Sequence, residues 1–95
     1  MIMFYNYIIQ SKKNKILYSG FTSDLKNRIK EHNQGRNKST KENRPCELIY
    51  YEACLSRKDA TRREKYLKTT QGRRLLKIRL KDYFYMKNIR NSSTG

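Results

Sequence analysis

Short apolar blocks in the first half of the chain predict three β-strands. Residues 4–9 and 16–21 are rich in aromatic and β-branched residues and flank a polar segment, a pattern typical of a β-hairpin. A third block of similar composition follows Pro45 and covers residues 47–54. Because the three blocks share this composition, we expect the third to join the hairpin in one sheet.

A first helix is predicted between the hairpin and the third strand. Thr22 and Ser23 offer hydroxyl groups that can cap its N-terminus, and apolar residues then recur at helical spacing until Gly35. Glycine is common at the position where a helix ends. Residues 35–44 are polar and basic and show no periodicity, so they are predicted to form a loop.

Two further helices are predicted after the third strand. Ser56, with Asp59 three residues later, resembles a capping box and opens a helix that reaches about Lys68. Gly72 is expected to break the chain. Residues 73–85 then form a last, basic helix.

The order β-β-α-β-α-α predicts an α/β fold in which helices flank a small, mainly antiparallel three-stranded sheet. The 95 residues suffice for one domain with a modest core. We expect this domain to cover residues 1–85, and we expect residues 86–95 to form a basic and polar tail that is frayed.

The charge of the chain narrows the choice of partners. Twenty-three Lys and Arg oppose eight Asp and Glu, a net charge of +15, which favours nucleic acid as the partner. A solvated surface is the alternative, but such surfaces usually mix the two signs. An anionic membrane is less favoured, since no strongly amphipathic helix with large apolar residues is predicted. No apolar run approaches the roughly 18 to 20 residues that span a bilayer. The candidates for nucleic-acid contacts are Lys26, Arg36, Lys38, Lys41, Arg44, Arg63, Lys68 and Arg73.

The two cysteines indicate a reduced protein without a disulfide. Cys46 and Cys54 bracket the third predicted strand, which separates them by roughly 26 Å at about 3.3 Å per residue, whereas a disulfide needs Cα atoms within about 7 Å. The single histidine, His32, cannot complete a zinc site of the usual ligand number. The N-terminus lacks the features of a signal peptide. A cytoplasmic location is therefore expected.

Two tyrosines of the predicted hairpin are candidates for chemistry. If Ile9 pairs with Ile16, Tyr7 lies directly opposite Tyr18 on the same face of the sheet. A cross-strand aromatic pair that only stabilises the sheet is the alternative. Gly20 favours a functional site, because a glycine within a strand often marks the close approach of a ligand or of another backbone.

Three charged or titratable side chains on the predicted helices complete a candidate site. Arg28 and His32 are four residues apart and share one helix face; they can hold a phosphate and transfer protons, or simply border the helix. Glu64 follows Ala60 by four residues and precedes Leu67 by three, which places its carboxylate on the inward face. A Mg²⁺ ligand and a buried structural salt bridge both fit that position.

The order of these residues resembles that of the GIY-YIG nucleases. Asn6-Tyr7-Ile8 stands where that family has Gly-Ile-Tyr or a variant, and Tyr18-Ser19-Gly20 stands where it has Tyr-Ile-Gly. The match covers about residues 4–80. Within the family, the chain resembles the short, stand-alone branch, which is itself similar to the nuclease domain of the bacterial excinuclease UvrC. Further matching segments are Thr22-Ser23-Asp24-Leu25, Glu31-His32-Asn33, Lys38-Ser39-Thr40, Arg44-Pro45 and residues 60–73.

The resemblance implies a metal-dependent endonuclease that hydrolyses phosphodiester bonds in nucleic acid, with a role in DNA repair. DNA is favoured over RNA as the substrate, but the sequence leaves both open. Tyr7 or Tyr18 would activate the attacking water, Arg28 would neutralise charge on the phosphorus, and His32 would assist proton transfer or hold a phosphate. Glu64 would hold Mg²⁺ or Mn²⁺. Two other functions stay open: a non-catalytic module that binds nucleic acid on the same fold, and a structural component of an RNA assembly.

Overall fold

A computed structural model describes the backbone of residues 1–94 and the side chains of residues 1–87. The chain forms two compact units, Met1–Glu64 and Lys65–Gly95. The expected division into a domain over residues 1–85 and a tail over residues 86–95 stays a prediction.

The elements follow the predicted order with one helix more than expected, and the predicted α/β fold class is confirmed. A three-stranded antiparallel sheet has the strand order β2-β1-β3, so β1 is central. The elements are β1 (Phe4–Ser11), β2 (Leu17–Thr22), α1 (Leu25–Asn33), β3 (Cys46–Cys54), α2 (Arg57–Leu67), α3 (Thr70–Arg79) and α4 (Lys81–Thr94).

The hairpin register differs from the predicted one by two residues. Ile9 pairs with Tyr18, and Gly20 rather than Tyr18 lies opposite Tyr7, so the predicted pairing is wrong. The cause is the turn: the Ser11 N–H donates to the carbonyl of Ile16, 3.0 Å away, and closes a four-residue loop. Because side chains alternate with a period of two, a shift of two residues keeps every side chain on its predicted face.

Each face of β1 packs against a different helix of the first unit. On one face Tyr7 and Ile9 form a buried cluster with Cys46, and Leu25 and Ile29 of α1 pack on it. On the other face the Asn6 side-chain amide donates to the carbonyl of Ala60 in α2, 3.0 Å away. The two faces of the central strand therefore fix α1 and α2 on opposite sides of the sheet.

Helix α1 begins one residue later than predicted. Asp24, not Thr22 or Ser23, is the N-cap, because its carboxylate accepts from the backbone N–H of Asn27 at 3.3 Å. The Thr22 hydroxyl instead accepts from the N–H of Asp24. The helix ends as predicted at Gly35, whose φ of 79° suits glycine and whose N–H bonds back to the last turn.

The loop after α1 is more ordered than its polar sequence suggested. Residues 41–43 form a short 3-10 turn within the predicted loop. The side chain of Asn33 exchanges two hydrogen bonds with the backbone of Cys46, 2.8 and 3.0 Å long, and joins the end of α1 to the start of β3. Both cysteines carry free thiols at the two ends of β3.

The helices of the second unit depart from prediction. Gly72 does not break the chain, because the Thr69 hydroxyl accepts from the Gly72 N–H at 3.0 Å and caps α3, which contains this glycine. The single helix expected over residues 73–85 is instead interrupted at Leu80, where no Gly or Pro signals an end. Helix α4 continues to Thr94, through the segment expected as a tail, and Gly95 lies outside the described residues.

None of the helices in the part of the chain that the structure describes combines the length and the apolar character needed to cross a bilayer.

Candidate active site

A buried hydrogen-bonded series links β1, α1 and the following loop. The Tyr7 hydroxyl lies 2.8 Å from Nε2 of His32, and Nδ1 of the same ring lies 2.7 Å from the Thr40 hydroxyl. Tyr7, His32 and Thr40 are 2%, 3% and 0% exposed. The Tyr7 and His32 rings meet edge to face, with centroids 5.7 Å apart. Each ring nitrogen thus has one hydroxyl partner, so the orientation of the imidazole is fixed.

The surroundings favour the neutral forms of Tyr7 and His32. Burial raises the pKa of Tyr7; the Arg28 guanidinium opposes this through a hydrogen bond and its charge, and the charges of Glu64 and Glu31 add to the increase. Burial lowers the pKa of His32, and the charge of Arg28 lowers it further against the opposing charge of Glu31. At neutral pH the phenol therefore keeps its proton, and the imidazole has one nitrogen able to accept a proton.

Arg28 lies at the accessible side of this series. Its Nε is 3.3 Å from Oε1 of Glu31, three residues later on α1, and its side chain is 40% exposed. Because Arg28 reaches Tyr7 and solvent together, it can meet an anion that approaches the phenol. The structure thus brings together Tyr7, Arg28 and His32, three of the predicted site residues.

Tyr18 lies on the same face as Tyr7 but is held differently. Its ring packs against the buried cluster that contains Tyr7. Its hydroxyl accepts a hydrogen bond from the side-chain amide of Asn43, in the 3-10 turn. The two tyrosines therefore have different roles in the fold: one hydroxyl contacts a titratable ring and the other an amide.

Glu64 occupies a half-buried position on α2, one turn after the fully buried Ala60. Its carboxylate is close enough for its charge to raise the pKa of Tyr7. Among the side chains of residues 1–87, no group of three or more His, Cys, Asp or Glu could hold a metal ion.

Comparison with known proteins identifies the family. The model of the GIY-YIG catalytic domain matches residues 3–79. The chain belongs to the GIY-YIG family. This confirms the resemblance seen in the sequence, and it assigns a nuclease-type function that acts on nucleic acid.

Small proteins of the UPF0213 group are similar to this GIY-YIG chain over most of their length. A UPF0213 protein of Staphylococcus haemolyticus is 40% identical over 82% of this chain and 95% of its own. The UPF0213 protein YazA of Bacillus subtilis is 37% identical over 90% and 80%. The solution structure of a UPF0213 protein from Bacillus halodurans is 31% identical, covers 79% of this chain and 82% of its own, and superposes with a TM-score of 0.50.

The GIY-YIG site contains residues to which the sequence pattern assigned no role. Thr40 and Asn43 hold the side chains of His32 and Tyr18 from a loop without periodicity. The sequence signal for Thr40 was its place in the matching segment Lys38-Ser39-Thr40. A buried hydroxyl in a polar loop has no local signature, because its burial is decided by contacts with distant residues.

The basic residues predicted to contact nucleic acid differ in their burial and in their contacts within the fold. Arg63 is half-buried, and its Nε lies 2.6 Å from Oε1 of Glu52, so its charge is engaged within the fold. Arg73, in the second unit, is also half-buried, and burial lowers its pKa. Their contacts with nucleic acid stay predictions. The exposed residues are Lys26, Arg36, Lys38, Lys41, Arg44 and Lys68.

Gly20 is required by the position of the Tyr7 ring. A Cβ at residue 20 would lie 2.7 Å from Cε1 of Tyr7, and closer still to its Cζ and hydroxyl oxygen. Real Cβ atoms do not approach other atoms so closely. The close approach expected at this glycine is thus made by a tyrosine side chain, which the absence of a Cβ lets reach His32.

We expect Gly20→Ala to destabilise the protein by about 1 to 3 kcal/mol, the usual cost of overpacking a core. The Tyr7 ring is confined by His32 and cannot yield freely. Thermal unfolding measures the effect, at roughly 4 to 8 °C per kcal/mol for a chain of this size. In a Tyr7→Ala background the same substitution should cost much less. An equal cost in both backgrounds would show that the strain does not come from the tyrosine.

Proposed function

We propose that this GIY-YIG protein is a divalent-metal-dependent endonuclease that hydrolyses phosphodiester bonds, with DNA as its substrate. The proposal is carried by the buried series from Tyr7 through His32 to Thr40, with Arg28 beside the phenol. Docking to a polyanion needs exposed positive charge. It does not need a buried series of groups that can exchange protons, which is typical of general acid–base catalysis.

The proton path begins at the attacking water. Tyr7 takes a proton from the water as it passes its own hydroxyl proton to Nε2 of His32. This requires Nδ1 of His32 to carry the ring proton and to donate it to the Thr40 hydroxyl, so Thr40 positions the imidazole in the useful tautomer. The water oxygen then bonds to phosphorus, the phosphorus–oxygen ester bond breaks, and the leaving oxygen takes a proton from solvent water. His32 returns its additional proton to solvent through Tyr7 after the reaction.

Transfer of the proton to His32 is needed because the Tyr7 phenol is rarely ionised at neutral pH. A phenol has a pKa of about 10, and burial raises the pKa of Tyr7 further, so tyrosinate is scarce at neutral pH. An imidazole whose pKa is lowered is neutral there and can accept the proton. Tyr7 therefore acts as a relay between water and His32 rather than as a preformed anion.

Arg28 supplies positive charge where the phosphate gains negative charge. Its guanidinium contacts the Tyr7 side chain and is partly exposed. A guanidinium can donate two parallel hydrogen bonds to phosphate oxygens. Stabilisation of the charge that develops in the transition state is commonly worth several kcal/mol in such reactions.

The donor chemistry at Glu64 fits a hard cation that substrate and water largely coordinate. Mg²⁺ is often bound through one or two carboxylates together with water and substrate phosphate. Glu64 would hold Mg²⁺ or Mn²⁺ in this way, and the bound ion would stabilise negative charge on the leaving oxygen. The closeness of Glu64 to Tyr7 supports this placement, since its charge reaches the phenol.

A divalent-dependent cleavage assay tests the proposal. The purified protein should nick supercoiled, branched or single-stranded DNA in Mg²⁺, lose that activity in EDTA and regain it with Mn²⁺. RNA of the same sequence should be cut more slowly. Binding without cleavage at every metal concentration would instead identify a non-catalytic nucleic-acid-binding module, and faster cleavage of RNA would overturn the choice of DNA.

A further inference from the structure

An open groove lies between α1 and the sheet, lined by residues of β1, β3 and α1. It has a volume of about 570 Å³. Its floor contains the rings of Tyr5 and Tyr51, which meet edge to face with centroids 6.0 Å apart. Leu25 and Ile29 of α1 form the opposite wall. Neither the proton path nor the proposed metal site uses these side chains.

The apolar floor results from an irregularity in β3. Tyr7 pairs with Tyr51 and Ile9 pairs with Leu48, so the register shifts between residues 8 and 9 of β1. In a regular strand, residues three apart point to opposite faces. The bulge lets Leu48 and Tyr51 face the same way. They are 36% and 53% exposed, an unusual exposure for large apolar side chains that share one concave surface.

The rim of the groove carries groups suited to a nucleotide. Lys26 lines the groove, and Lys30, one helical turn later, lines a neighbouring concavity that shares Lys26 and Ile29. Both lysines are exposed. Ser23 and Asp24 also line the groove, and the Asp24 carboxylate caps α1 by accepting from the Asn27 N–H. Positive charge thus borders an aromatic floor, the combination that binds single-stranded nucleic acid.

The groove is lined by residues that neighbour the candidate active site. Tyr51 is the cross-strand partner of Tyr7. Tyr5 lies two residues from Tyr7 on the same face of β1, and Ile29 follows Arg28 directly on α1. A nucleotide next to the phosphate that Arg28 contacts would therefore lie within reach of the groove.

We propose that this groove is a subsite for one unpaired nucleobase next to the cleaved phosphate, stacked on Tyr51 and Tyr5. The inference rests on the proposed nuclease function and specifies its substrate: nucleic acid that is single-stranded, or whose target nucleotide is unpaired. In a duplex the faces of the bases are covered by their neighbours, so an aromatic floor can contact only a base that has left the stack.

Binding measured in EDTA tests the subsite separately from catalysis. The probes are a single-stranded DNA of about ten nucleotides, within the usual range of binding-site sizes, and the duplex of the same sequence. Tyr51→Thr removes the ring but keeps a residue suited to a strand. We expect it to weaken single-strand binding by about five- to a hundredfold, the range expected for one stacked base, and to leave duplex binding unchanged.

Two control variants define the ring as the cause. Tyr51→Phe keeps the aromatic face and should bind like the parent protein. Ile16→Ala removes a side chain of similar exposure, 48%, from the hairpin turn outside the groove, and it should also bind like the parent. Thermal unfolding must show that all three variants fold.

Three results would overturn the subsite: single-strand binding by Tyr51→Thr equal to that of the parent, an equal loss on duplex, or an equal loss in Tyr51→Phe. These binding measurements need no cleavage, so a failure of the subsite can be distinguished from a failure of the proposed function. That failure would appear as a parent protein that binds DNA in EDTA and does not cut it in Mg²⁺.

Discussion

Glu64→Gln should bind nucleic acid but cleave it about a thousandfold more slowly than the parent protein. The substitution keeps the size of the side chain and removes the anionic oxygen that a hard divalent cation prefers. The charge stabilisation that a metal supplies in such reactions is several kcal/mol, which corresponds to a rate factor of about this size. Nicking of supercoiled DNA in Mg²⁺ measures the rate, and fluorescence anisotropy in EDTA measures binding, which should persist or tighten because a negative charge is removed.

Glu52→Gln is the matched control for this change. Glu52 is also a half-buried carboxylate of the first unit, and it accepts hydrogen bonds from Arg63 at 2.6 Å and from the Tyr50 hydroxyl at 2.9 Å. Its loss should lower the free energy of unfolding by about 1 kcal/mol, given the partial exposure of the ion pair. It should leave the cleavage rate nearly unchanged, because the Glu52 carboxylate is held by Arg63 and Tyr50 and contacts neither Tyr7 nor His32 in the described structure.

The stability of Glu64→Gln separates the two roles that the sequence left open. A carboxylate that serves a metal can lose its charge with little effect on folding. If Glu64 were instead one member of a buried salt bridge, its loss would leave the other charge buried and unpaired, and the free energy of unfolding would fall by about 3 to 5 kcal/mol. Parent-like nicking by Glu64→Gln, or a loss of stability on that scale, would contradict the assignment of Glu64 to a metal.

Tyr7→Phe should lower the cleavage rate by about a hundredfold or more while the protein stays folded. The change deletes the hydroxyl that contacts His32 and keeps the ring that packs over Gly20. A group that transfers a proton in the transition state usually contributes a factor of this size. A moderate loss of stability, about 1 to 3 kcal/mol, is also expected, because Nε2 of a buried histidine loses its partner. Single-turnover cleavage and thermal unfolding measure the two effects.

Tyr18→Phe provides the comparison, since it makes the same chemical change at a hydroxyl that bonds to the side-chain amide of Asn43 rather than to a titratable ring. It should retain most of the activity. A large loss in Tyr18→Phe with a parent-like Tyr7→Phe would reverse the roles of the two tyrosines. Parent-like cleavage by both variants would show that the tyrosine pair is structural.

The pH dependence of the parent protein is a further check on the proton path. His32 must be neutral to accept the proton, and burial lowers its pKa below the ordinary value of about 6.5. The cleavage rate should therefore be constant near neutral pH and fall only as the pH decreases through the lowered pKa of His32. Burial of neutral His32 also makes the free energy of unfolding depend on pH. The folded state has its full stability above about pH 6.5 and loses stability as the pH falls through the lowered pKa of His32. A rate that rises steeply between about pH 8 and 10 would indicate instead that Tyr7 must ionise on its own.

Local sequence patterns were sufficient to assign the faces on which the main site residues lie. Alternation along β1 and β2 placed Tyr7 and Tyr18 on one side of the sheet, and a register error of two residues did not change this, because the side-chain period is two. Helical spacing placed Arg28 and His32 on one face of α1. Capping at Ser56 and termination at Gly35 were also local, so they were predictable from neighbouring residues.

Which of these side chains meet depends on long-range packing, which local patterns do not encode. The contact of His32 with Tyr7 joins residues 25 positions apart, and its contact with Thr40 depends on how the loop after α1 returns to the sheet. The bulge that turns Leu48 and Tyr51 to one face likewise depends on pairing between β1 and β3. A periodic pattern specifies the direction of a side chain relative to its own element, whereas its partner is set by packing between elements that are distant in the chain.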